Sequence, residues 1–309
     1  TSGPLDGPAV SLAHDPQQPG VVYAGTHGDS LSSPDGSLWR SSDYGASWVK
    51  LGSAEDQVTA IGVDPLVGGR LFASVRRDLF IAHSSVVFRS NDNGRTWIAL
   101  DGGVPGFVAA FAFDPIRRGT VYVASLGGVA KTTDGGDTWV LVYTPNPGPQ
   151  TIVIDPSSPQ KIYAGGAGVA RSSDGGKTWQ SLPIGPVSVE SLVISPSEPS
   201  IIYAGTDQGT FRSADGGDSW LMSSTGLPAG SVLSVVVDPN DAETVYSTTW
   251  EGVFESLDGG QNWSPLTLGL EDVRFGPLAI GPSGRTLYVG TDSGVFFIRS
   301  RKPAVVPFR

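Results

Sequence analysis

Ser172-Ser173-Asp174-Gly175-Gly176-Lys177-Thr178-Trp179 is one of six stretches built on one template, Ser/Thr-x-Asp-x-Gly-x-(Thr/Ser/Asn)-Trp. The others are SSDYGASW (41–48), SNDNGRTW (90–97), TTDGGDTW (132–139), SADGGDSW (213–220) and SLDGGQNW (256–263). Their tryptophans, Trp48, Trp97, Trp139, Trp179, Trp220 and Trp263, fall 49, 42, 40, 41 and 43 residues apart. A fixed period of this length is the signature of a repeat architecture and outranks any local propensity.

Three further landmarks keep the same period but occur seven times. An apolar run closes in x-Pro at Pro16, Pro65, Pro115, Pro156, Pro196, Pro239 and Pro282. Next come VVYAGT (21–26), RLFASV (70–75), TVYVAS (120–125), KIYAGG (161–166), IIYAGT (201–206), TVYSTT (244–249) and TLYVGT (286–291), each with Tyr or Phe in one place. SLWRSS (37–42), VVFRSN (86–91), GVAKTT (128–133), GVARSS (168–173), GTFRSA (209–214), GVFESL (252–257) and GVFFIR (294–299) complete the set. These short β-branched and aromatic runs, bounded by Gly, Pro, Asp and Ser, read as three strands, and a fourth starts at each Trp. No 3.6-residue apolar period appears, so helix-pair repeats of similar length are excluded. The expectation is an all-β fold: a seven-bladed β-propeller of four-stranded antiparallel blades with six box turns, residues 1–309 forming one domain. The seventh unit lacks a box, and either Ala304–Val306 or a segment upstream of Thr1 is expected to supply its outer strand, because an open sheet edge is avoided.

Composition agrees and narrows function. Gly 42 and Pro 24 in 309 residues mark a turn-rich chain, while 39% hydrophobic residues exclude disorder. With Lys+Arg 20 against Asp+Glu 30 the net charge is -10, which argues against a nucleic-acid partner. Cys 0 removes disulfides, thiolate zinc sites and cysteine nucleophiles. No apolar stretch approaches a membrane span, and the chain opens at Thr1 without a charged-then-apolar leader, as after processing.

The box residues read as a folding device. Asp43, Asp92, Asp134, Asp174, Asp215 and Asp258 are placed to bond their own turns, Gly supplies positive φ, and Trp lies between blades. A calcium loop would need a closing Glu that none of the boxes has, so no metal is expected. No cofactor is implied.

On these boxes the chain resembles the Asp-box (BNR-repeat) propeller superfamily along nearly its whole length. That superfamily includes sialidases, xyloglucanase-type glycoside hydrolases, sortilin-like receptors and photosystem II assembly factors, so the resemblance implies fold and leaves function to the site. It also implies a secreted, periplasmic or lumenal location. The sialidase pattern of three converging arginines does not fit: Arg40, Arg89, Lys131, Arg171 and Arg212 hold one equivalent place in five successive units, with Glu255 and Phe297 in the last two. They ring the molecule as structural cations. Tyr143 alone is free of the repeat and the boxes, which leaves no clear Tyr–Glu pair. Xyloglucanase-type sites span two tandem propellers, and this chain carries one.

Ligand contacts are expected on the face bearing the 2–3 turns and the connections between blades, opposite the boxes. Two units insert there, at 26–37 and 76–85. Trp250 sits in the sixth unit's 2–3 turn with Glu251 and has no place in the repeat, so it is a candidate binding anchor. Arg76, Arg77, His83 and His27 from the insertions are grouped with it; the two histidines lack a metal-ligand spacing. Glu190 occupies a place that elsewhere holds Val10, Thr59, Ala109, Gln150, Leu233 and Gly276. The expected function is a non-catalytic, monomeric module for a protein or glycan. The alternative is a glycoside hydrolase or polysaccharide lyase using Glu190 and Asp272.

Overall fold

The computed structural model describes residues 7–27, 36–51, 57–76, 85–100, 102–266 and 273–299. They form a seven-bladed β-propeller of antiparallel sheets. Six blades have four described strands in sequential order and the seventh has three, Phe275–Ile280, Thr286–Thr291 and Gly294–Arg299. Blade 5 is representative, with strands Val189–Ile194, Ile202–Thr206, Gly209–Ser213 and Leu221–Met222 running from the central channel to the rim. The second strand of that blade is buried along its length, because neighbouring blades cover both faces.

The core is divided into seven clusters, one at each seam between blades. Between blades 4 and 5 Tyr163, Val189, Leu192 and Ile202 pack together. The seam between blades 7 and 1 joins Tyr288, Val295 and Phe297 to Ala9, Val22 and Trp48, which closes the ring. Small residues after the core tyrosine permit close approach: a Cβ on Gly205 would stand 2.8 Å from Val232 Cγ1 of the next blade. The described part of the expected closing segment stops at Arg299; Ala304–Val306 lies outside the described residues.

Each x-Pro landmark turns the chain from the first strand to the second. Asp155 Oδ1 accepts the N–H groups of Ser157 and Ser158 at 2.8 and 3.0 Å, and Asp15, Asp64 and Asp114 repeat the pattern. Their side chains occupy the backbone donors that a tight turn leaves open.

Candidate functional site

The boxes face away from the candidate site, and their carboxylates are engaged inside their own turns. Asp174 Oδ1 accepts from Ser172 Oγ and from the N–H groups of Lys177 and Thr178, while Oδ2 accepts from Thr178 Oγ1 at 2.6 Å. Asp43, Asp92, Asp134 and Asp215 hold the same bonds to hydroxyls, and Asp258 uses Asn262. These donors stabilise the ionised form and hold Asp43, Asp92, Asp174 and Asp215 at a pKa of about 2, with Asp134 and Asp258 also lowered. Two successive positive-φ residues follow each Asp, Gly175 and Gly176 in this box; Tyr44 and Asn93 take the first place in the first two boxes. Of the six box tryptophans, Trp139 and Trp263 are buried, and the others leave an edge in water.

On the opposite face the innermost strands share a feature that alternation alone does not display. In blade 5 Val189 pairs with Thr206 and Ser191 with Gly205, so Glu190 is an unpaired bulge residue. Val10, Thr59, Ala109 and Leu233 are bulged in the same register, and Gly276 and Pro277 span the step in blade 7. Gln150 holds the place in blade 4, its N–H donating to Gly165 O at 2.7 Å. A bulge re-aims its side chain. These bulge residues, and Gln150 with them, line one cavity of about 650 Å³ at the channel mouth. The residue after the bulge stitches blades together: Ser11, Ser191 and Ser234 hydroxyls accept the N–H groups of Ile61, Val235 and Leu278 at 3.0–3.2 Å.

Trp250, 64% exposed, and His27 line the same cavity as Glu190. Glu190 is half-buried, and its Oε1 accepts a 3.1 Å bond from Ser188 Oγ. Glu251 is exposed in the Trp250 turn, its N–H donating to Thr249 Oγ1, and does not line the cavity. Arg76 ends the second strand of blade 2 opposite Gln57 and is also outside the lining. Arg77, His83 and Asp272 lie outside the described residues. The cavity adds Arg274, a charged residue that the sequence already places in a connection on this face, and Asp292, which sequence reasoning did not single out. Asp292 had a signal: it stands in the 2–3 turn of blade 7, the same kind of turn as Trp250.

The other channel mouth, about 530 Å³, is walled by Pro16, Pro65, Pro196, Pro239 and Pro282 and by Val, Ile and Phe side chains. Among the described residues its single titratable lining residue is His14. The polar chemistry of the channel is thus collected at the mouth bearing Trp250.

No protein-family model and no curated protein sequence matches the chain. Solved structures do. A GH74 xyloglucanase from Xanthomonas campestris superposes with TM-score 0.79 at 19% identity, over 97% of this chain and 53% of that one. YCF48 bound to D1 peptide gives TM-score 0.73 at 13% identity over 98% and 96% of the two chains. Chaetomium thermophilum Sqt1, bound to the N-terminus of the ribosomal protein L10, gives 0.68 at 15% over 96% and 99%. These likenesses establish the fold. The chain spans about half the length of the xyloglucanase it resembles.

Proposed function

We propose that this propeller is an Asp-box binding module that takes an extended polypeptide segment at the mouth bearing Trp250, and that it works in a secreted, periplasmic or lumenal setting. The observation that carries the reading is an indole 64% exposed on the rim of a 650 Å³ cavity whose walls are rigid innermost strands. A large aromatic left in water at a preformed concavity is the usual anchor of a recognition site. Two structural neighbours of comparable length are seen with peptides, which supports a polypeptide ahead of a glycan. The test is binding of a fluorescent random-peptide pool to the full chain. Trp250→Ala is expected to weaken captured peptides by about 2 kcal/mol, the scale of a hot spot, and to leave the urea midpoint unchanged. Equal binding by the variant would overturn the reading.

A second reading, glycoside hydrolysis, draws on the xyloglucanase likeness and on two carboxylates, Glu190 and Asp292, at one cavity. Turnover of xyloglucan or another β-glucan that disappears in Glu190→Gln would establish it in place of the binding module.

A further inference from the structure

Resting on the binding-module reading, we infer that the bound polypeptide inserts a cationic side chain, arginine before lysine, between Glu190 and Trp250 at the channel mouth. The seven equivalent positions make a ring in which Val10, Thr59, Ala109, Gln150, Leu233 and Gly276 bear no acid and Glu190 alone carries a carboxyl group. Its carboxylate is half-buried and has no cationic partner among the described residues. Partial removal from water makes such a charge costly to leave unpaired and strengthens its pull on an incoming cation.

The carboxylate is also held in place. Ser188, which donates to Glu190 Oε1, has its own N–H bonded to Asp207 Oδ1 at 2.9 Å and its carbonyl accepting from Asp207 N–H at 3.0 Å. A bridge between Ala167 and Ser188 ties the same point to blade 4. The turn of blade 5, the neighbouring blade and the bulge thus fix one acid at one place, as preorganised recognition requires. Among the other ring positions Thr59 is also held, its hydroxyl in reach of the Ser74 and Val108 carbonyls at 3.3 and 3.2 Å, but it carries no charge.

The surroundings favour positive charge. Among the described residues Glu190 and Asp292 line the cavity with Arg274 as its single Lys or Arg, and the chain carries a net charge of -10, which concentrates cationic partners near the surface. Trp250 offers an indole face, and a guanidinium can stack on such a face while its fork donates to a carboxylate. Lysine satisfies the charge without the planar match.

The experiment selects peptides from a random display library on the full chain, with Trp250→Ala and Glu190→Gln in parallel. Wild type is expected to enrich Arg or Lys at one fixed position. Replacing that residue by citrulline should weaken binding about tenfold or more, the scale of a lost charge-assisted hydrogen bond. Glu190→Gln should weaken the parent peptide equally and leave the citrulline peptide unaffected, and Glu190→Asp should recover part of the loss. Trp250-dependent peptides that carry no enriched cation, or that bind Glu190→Gln as they bind wild type, would overturn this inference and leave the binding module standing. A selection yielding no Trp250-dependent peptide would overturn the binding module itself. Matching urea midpoints for all variants tie each result to the site.

Discussion

The seam between blades 3 and 4 and the seam between blades 7 and 1 perform one task with different chemistry. At the first, the carbonyl of Gly175 accepts two bonds from the preceding blade, from Tyr122 Oη and Lys131 Nζ, each at 2.9 Å. The blade 4–5 seam repeats this with Tyr163 and Arg171 on Gly216 O, and Arg171 also reaches Asp218. At the closing seam Phe297 stands where Lys131 would, its ring 3.2 Å from a Cβ placed on Gly45. Tyr288 Oη is buried there with no hydrogen-bond partner among the described residues, and Arg299 lies over the Tyr44 and Phe297 rings. The seams between blades 2 and 3, 3 and 4, and 4 and 5 are stitched by polar bonds to a box carbonyl, and the closing seam is packed by aromatic surface. Arg89, Lys131 and Arg171 are therefore seam fasteners to the next blade's box, and Arg212 reaches Glu243 of the next blade instead.

The largest expected effect separates the two seams. Tyr122→Phe with Lys131→Met removes both donors from the Gly175 carbonyl, whose residue is buried. The loss of stability should be about 2–3 kcal/mol, since an acceptor kept from water without a partner carries its full desolvation penalty. Tyr288→Phe deletes a hydroxyl that makes no bond among the described residues, so its urea midpoint should match wild type or exceed it. Equal losses from the two variants would show that the closing seam is polar after all.

How much of this could be read beforehand follows from which features repeat. The blade count, the four strand runs, the Asp-Pro turns and the structural role of the cations all rest on equivalent residues recurring seven or five times. Tyr143, unassigned in the repeat, stacks on Trp179 at 4.7 Å and belongs to the blade 3–4 seam. The mouth was legible only in part. Glu190 stood out because its six equivalents are uncharged, and Trp250 because no slot of the repeat claims it. The bulge that turns Glu190 inward was hidden, since an extra residue in a strand leaves no mark beyond a slip in alternation. Arg76 and Glu251 were grouped with Trp250 by loop proximity, and neither lines the cavity.

A smaller effect distinguishes the boxes from the seventh blade, which has none. Asp43, Asp92, Asp174 and Asp215 have folded pKa values of about 2 against an ordinary 3.8. A depressed carboxylate contributes stability that is complete above its unfolded value and is lost as pH falls through the folded one. Asp174→Asn should therefore melt below wild type at neutral pH, and the gap should narrow as pH falls from 3.8 towards about 2. A gap constant across that range, followed by differential scanning calorimetry, would mean that hydrogen bonding alone and not the charge of Asp174 supports the turn.

The smallest effect belongs to the closing seam and runs in a different pH range. His14 ends the first strand of blade 1, its ring centroid 6.3 Å from that of Tyr288 in blade 7 and its Nε2 3.0 Å from Pro19 O. Burial lowers its pKa below 6.5, opposed by the Pro19 bond and by the Asp15 carboxylate, which favour the charged form. With the folded value depressed, the unfolded chain binds more protons between the folded pKa and 6.5. The contribution is complete above 6.5 and is lost as pH falls below it. Wild type should accordingly lose a little thermal stability in mild acid, well before the box carboxylates titrate, and His14→Gln, which keeps a donor for Pro19 O, should not. Identical melting curves for the two proteins between about pH 7 and pH 5 would show that the seam tolerates a charged imidazole, and that aromatic packing alone determines how the ring closes.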